Sequence, residues 1–140
     1  MKIKNYEPID HTADIGIRVK GRDLKELFKK AALALFDILA VRKSACAKAE
    51  TAFKITQSAD SREELFINWL NELLSLSSAK LVIFTGFKIT GLSACAIEAS
   101  ATAEPMKHFT VNSEIKAATY HQLKLSKEAF GWQAEVILDV

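Results

Sequence analysis

Twice in this chain a run of alternating apolar residues gives way, within a few positions, to a helix-start signal and an apolar stripe at helical spacing. In the first instance Ile15, Ile17 and Val19 alternate with Gly16, Arg18 and Lys20, the period of a strand with one buried face. Gly21 and Arg22 turn the chain, and Asp23 stands three residues before Glu26. That spacing is a capping box, in which each side chain satisfies a main-chain N–H at the helix start. Leu24, Leu27, Phe28, Ala31, Leu35 and Ile38 then predict a helix, with Lys25, Lys29 and Lys30 on its opposite face. In the second instance Phe53 and Ile55 mark a strand over Thr51 to Gln57. Ser61 and Glu64 repeat the capping pattern, and Leu65, Phe66, Trp69, Leu70, Leu73, Leu74 and Leu76 give a broad apolar helix face. Asn68, Asn71 and Glu72 occupy the polar side of this second helix.

The remaining segments read as strands. Leu81 to Phe87 is nearly continuous in apolar residues, Gly91 interrupts, and Leu92 to Ala103 alternates weakly. Glu104 to Asn112 is a polar excursion containing Pro105 and His108. Glu114 to Leu125 and Trp132 to Asp139 follow, joined by the short segment Ser126 to Gly131, which predicts an antiparallel hairpin. In the last strand Trp132, Ala134, Val136 and Leu138 share one face. The expected fold is one α+β domain over residues 1–140, with two helices covering a mostly antiparallel sheet.

Composition narrows the function. The chain has 19 basic and 17 acidic residues, a formal charge of +2, without the concentrated basic face of a nucleic-acid binder. Cys46 and Cys95 form no CxxC pair, so neither a zinc knuckle nor a redox motif is present. No apolar run approaches the roughly 18 residues of a membrane span, and the start of the chain lacks the apolar stretch of a signal peptide. The expected compartment is the cytoplasm. Glycine-rich phosphate loops, GxSxG and HExxH are absent.

Three segments carry chemistry. Asp10-His11-Thr12-Ala13-Asp14 gathers two carboxylates, an imidazole and a hydroxyl just before the first strand. Asp and His ligate divalent metals, although such residues equally favour a polar turn. Asp139-Val140, at the end of the last strand, offers the hard oxygens that Ca²⁺, Mg²⁺ or Mn²⁺ prefer. An exposed Asp on a solvated strand is the simpler account of it. In Glu114 to His121, Lys116 falls roughly across from Asp139 if the hairpin turns near Glu128. His121 falls on the side of Ile115, which predicts a packed core histidine.

Together these segments resemble the archease family along nearly the whole chain. The resemblance is carried by His11-Thr12-Ala13-Asp14-Ile15-Gly16, Leu24 to Phe36, Trp69-Leu70-Asn71-Glu72-Leu73, Glu114 to His121, and Val136-Ile137-Leu138-Asp139. It implies an α+β fold built on a strand–helix–strand–strand module. It also implies an accessory protein that promotes guanylylation and multiple turnover of an RtcB-type RNA ligase in tRNA splicing or RNA repair. No catalytic residues of its own are implied, and RNA is touched only weakly or indirectly. The implied metal ligands are Asp14, Asp139 and Val140, with Ca²⁺ the first expectation and Mg²⁺ or Mn²⁺ next. His11, Lys116 and His121 match as auxiliary positions. The chain departs from the family pattern at Ala103-Glu104, commonly Gly-Glu, and in the loop Met106 to Asn112, which lacks an acidic residue often found there. The competing readings are a metal-dependent phosphohydrolase using Asp14 and Asp139, and an RNA-binding module.

Overall fold

A computed structural model of the chain describes residues 6–9, 14–44 and 47–140. In chain order its elements are β1 (Tyr6–Ile9), β2 (Ile15–Gly21), α1 (Leu24–Leu39), β3 (Ala40–Arg42), β4 (Thr51–Ser58) and α2 (Arg62–Lys80). They continue with β5 (Val82–Leu92), β6 (Ala96–Pro105), a 3-10 turn (Met106–His108), β7 (Phe109–Val111), β8 (Ala117–Glu128) and β9 (Gly131–Asp139). The fold is α+β, with two helices and antiparallel strand pairing among the described residues. The stretch β4–α2–β5–β6 runs strand–helix–strand–strand.

Periodicity gives the strands but not their grouping. The strands divide into a four-stranded sheet in the order β1-β2-β9-β8, a three-stranded sheet β4-β6-β5, and the small pair β3-β7. Both helices lie against both larger sheets: α1 packs on β2 and β5, and α2 packs on β8, β4 and β5. This explains the width of the apolar face on α2. Its buried residues include Leu65, Phe66, Ile67, Trp69, Leu70, Leu73 and Leu74. Phe28 of α1 meets Phe66 of α2 edge to face at 5.1 Å. The Trp69 ring lies 5.8 Å from that of Phe87, and its indole N–H donates to the Phe28 carbonyl at 3.0 Å. A buried indole needs such a partner.

Both helix starts behave as capping signals. The Asp23 carboxylate accepts from the Glu26 N–H at 2.8 Å, and the Ser61 hydroxyl accepts from the Glu64 N–H at 3.1 Å. In α1 the returning bond differs from the expected box: Glu26 accepts from the Arg22 N–H, one residue before the cap. The β8–β9 hairpin closes tightly, with Glu128 opposite Gly131. Gly131 has φ +140, and a Cβ there would collide with the carbonyl oxygens of Gly21 and Arg22. Only glycine lets the hairpin press against the end of β2. No helix among the described residues is long and apolar enough to cross a membrane.

Candidate functional site

The central pairing of the four-stranded sheet sets the geometry. β2 runs antiparallel to β9 with Ile15 opposite Leu138, Ile17 opposite Val136 and Val19 opposite Ala134. One step beyond Ile15 and Leu138 lie Asp14 and Asp139, at the same end of adjacent strands. β8 starts at that end too, with Ala117 opposite Asp139 and Ala118 opposite Leu138. The Lys116 N–H donates to the Asp139 carbonyl oxygen at 2.8 Å. The starts of β2 and β8 and the end of β9 therefore share one edge of the sheet, although they lie far apart in sequence.

Alternation decides which way this edge faces. Leu138, Val136 and Ala134 point into the core, so Asp139 falls on the outer face with Ile137 and Glu135. Along that face Arg18 bridges Glu7 at 3.0 Å and Glu135 at 3.5 Å. The row next to the carboxylates is apolar. Gly16 sits between Ile9 and Ile137, where a Cβ would lie 3.1 Å from the Ile9 Cβ and 3.2 Å from the Ile137 Cδ1. Asp14 is half-buried, while Lys116, Asp139 and Val140 are exposed.

The auxiliary positions fare differently. His11 lies outside the described residues. Lys116 reaches Asp139 through its main-chain N–H, because the bulge in β8 shifts the hairpin register by three residues. His121 is not a core residue: it is exposed. The regular pairing of β8 stops at Thr119 opposite Ile137 and resumes at Lys124 opposite Glu135. The intervening bulge removes the alternation on which the core placement of His121 rested. Gln122, in this bulge, has φ 53, and Tyr120 is exposed. His108 belongs to the 3-10 turn and its carbonyl accepts from the Lys43 N–H at 2.8 Å.

The roles of two polar residues cannot be read from periodicity. Glu104 is only 2% exposed and pairs with Arg42, while accepting from the Ala49 N–H at 3.3 Å. The Arg42 guanidinium holds the Glu104 carboxyl below its ordinary range. Asn71, placed by periodicity on a polar helix face, is turned instead toward the start of β8. Nothing in its spacing separates it from Asn68 or Glu72, because a polar stripe between two sheets looks like one facing water.

The donor set at the shared edge consists of the Asp14 and Asp139 carboxylates and the oxygens of Val140. These are hard ligands suited to a divalent cation of the calcium, magnesium or manganese type. Among the described residues no three His, Cys, Asp or Glu side chains gather for a metal. A cation here would draw on Val140 in addition to the two aspartates.

An α+β domain with antiparallel sheets, two capped helices and an acidic edge built from distant segments defines the class to which this chain belongs. A family model, the archease protein family, matches residues 6–140. The protein archease of Methanosarcina acetivorans is 37% identical over 144 residues, covering 98% of this chain and 97% of that protein. The protein archease of Pyrococcus abyssi is 33% identical, covering 99% and 100%. The solution structure of Methanobacterium thermoautotrophicum protein 1598 superimposes with a TM-score of 0.70 at 31% identity, over 99% of this chain and 100% of that one. A Thermotoga maritima crystal structure described as an archease, possible chaperone, shares the fold with a TM-score of 0.68 at 24% identity, over 96% of each chain. The chain belongs to the archease family.

Proposed function

We propose that this protein is a metal-binding accessory factor that activates an RtcB-type RNA ligase in tRNA splicing or RNA repair. It promotes guanylylation and repeated turnover of that ligase, and has no joining activity of its own. Family membership supports the role. At the site, the observation that carries the reading is the Ile15–Leu138 pairing, which sets Asp14 beside Asp139. In this reading the two carboxylates, with an oxygen from Val140, hold one divalent cation, Ca²⁺ first and Mn²⁺ or Mg²⁺ next. The bound cation supplies concentrated positive charge near a nucleotide phosphate. The chain's own contribution is to keep two acids together at the end of one strand pair, with the Lys116 N–H bonded to the Asp139 carbonyl. The ligase is the principal partner, and RNA is engaged only indirectly or weakly.

Two measurements test the proposal. Added to a cognate RtcB-type ligase with GTP and Mn²⁺, the protein should speed formation of the ligase–guanylate adduct. Unchanged adduct formation over a wide range of protein concentration argues decisively against the role. Independently, Ca²⁺ or Mn²⁺ should raise the melting temperature by mass action. Asp14→Asn and Asp139→Asn should each abolish that shift, and the double variant should lose little more, because the two act as one unit. Equal cation affinity in wild type and both single variants would remove the shared site.

A further inference from the structure

Helix α2 sends one side chain to the site end of the four-stranded sheet. The Asn71 Oδ1 accepts from the Ala118 N–H at 2.7 Å, and its Nδ2 donates to the Ala118 carbonyl oxygen at 3.2 Å. β8 is an edge strand of its sheet, and an edge leaves a row of main-chain donors and acceptors without a neighbouring strand. Asn71 takes both groups of one residue, as a strand would.

The need for such a tie follows from the pairing. The ladder between β8 and β9 is split by the bulge, leaving Ala117, Ala118 and Thr119 as a separate stretch opposite Asp139, Leu138 and Ile137. Such a short stretch has few ladder hydrogen bonds of its own to hold it. Besides Asn71, it is fixed by the Lys116 N–H on the Asp139 carbonyl at 2.8 Å and the Thr119 hydroxyl on the Ile137 carbonyl at 3.0 Å. Both of those bonds join β8 to β9 alone. Asn71 instead ties the stretch to a helix that Trp69 and Leu70, both fully buried, anchor in the core.

We infer that Asn71 is a positioning residue, which holds the start of β8, and through it Lys116 and Asp139, where the cation site requires them. The inference rests on the reading of Asp14 and Asp139 as that site, and adds a residue that ligates nothing itself. A carboxamide fits the task because it offers an acceptor and a donor side by side. An aspartate keeps only the acceptor, and an alanine keeps neither.

The test compares Asn71→Ala, Asn71→Asp and Gln57→Ala with wild type. Gln57 donates to Glu72 at 2.8 Å, tying the same helix to β4 in the other sheet, so its loss loosens α2 without touching β8. Mn²⁺ affinity is read by titration calorimetry, and amide exchange at Lys116 and Ala118 by NMR without metal. Asn71→Ala should weaken Mn²⁺ binding by roughly 10- to 100-fold, the range for lost groups that orient metal ligands. It should also speed exchange at both amides. Asn71→Asp should fall between it and wild type, and it carries the same comparison if Asn71→Ala does not fold. Gln57→Ala should lower the melting temperature and leave Mn²⁺ affinity unchanged. Wild-type affinity in Asn71→Ala, or an equal loss in Gln57→Ala, overturns the inference. If wild type itself binds no Mn²⁺, the cation-site reading fails, and exchange alone judges Asn71: faster exchange at Lys116 and Ala118 supports the tie, and unchanged exchange overturns it.

Discussion

At the start of α1 one carboxylate closes three interactions. Glu26 accepts from the Arg22 main-chain N–H at 3.0 Å, pairs with the Arg22 guanidinium at 2.9 Å, and meets Lys30 at 3.3 Å. The Arg22 N–H and then its guanidinium lower the Glu26 pKa from 4.5 to about 2. A carboxyl with a depressed folded-state pKa stabilises fully above its unfolded value and loses that contribution as protons bind. The stabilisation should therefore be complete above pH 4.5 and fade as the pH falls toward 2. Urea unfolding of wild type and Glu26→Gln across this range should show a stability difference that shrinks on acidification. A constant difference would mean that packing of the side chain, and not its charge, is what matters. The Glu104–Arg42 pair is another single-residue device. Glu104 also accepts from the Ala49 N–H, which draws the segment around Ala49 onto β6.

At the scale of elements, Trp69 links α2 to both α1 and β5. It is fully buried, meets Phe87, and bonds to the main chain of α1. Trp69→Ala should cost about 3–5 kcal/mol, as large aromatic-to-alanine core changes do, measured by urea unfolding. A melting curve like that of wild type would show that this helix face is not the core. Both helices were legible because capping residues and apolar spacing are local. The β8–β9 hairpin was legible for the same reason, but the approach of Lys116 to Asp139 depends on the bulge that shifts its register. The division of the strands into sheets was not, since Thr51–Ser58 and Ile15–Gly21 carry similar alternation and only tertiary packing separates them. His121 was misplaced because the bulge between Thr119 and Lys124 leaves no mark in composition. Asp14 and Asp139 could be suspected separately as acids at strand ends, but their adjacency depends on which strand lies beside which.

Across the whole molecule, β9 is the best-connected strand of the four-stranded sheet. It is paired on both sides, and Ala134, Val136 and Leu138 are fully buried. Its amides should therefore exchange only by global opening, whereas those of β1, a four-residue edge strand, should exchange by local fraying. Native-state hydrogen exchange that ranked Tyr6–Ile9 as slow as Val136–Leu138 would contradict this order. The position of β9 also has a consequence in time. A ribosome makes β2 early and β8 late, yet neither gains its shared neighbour until β9 emerges last of the described strands. During that interval both strands present an open side, the condition under which nascent chains pair with the wrong neighbour. The acidic edge needs Asp14 and Asp139 together, so a growing polypeptide cannot assemble it until β9 has been made.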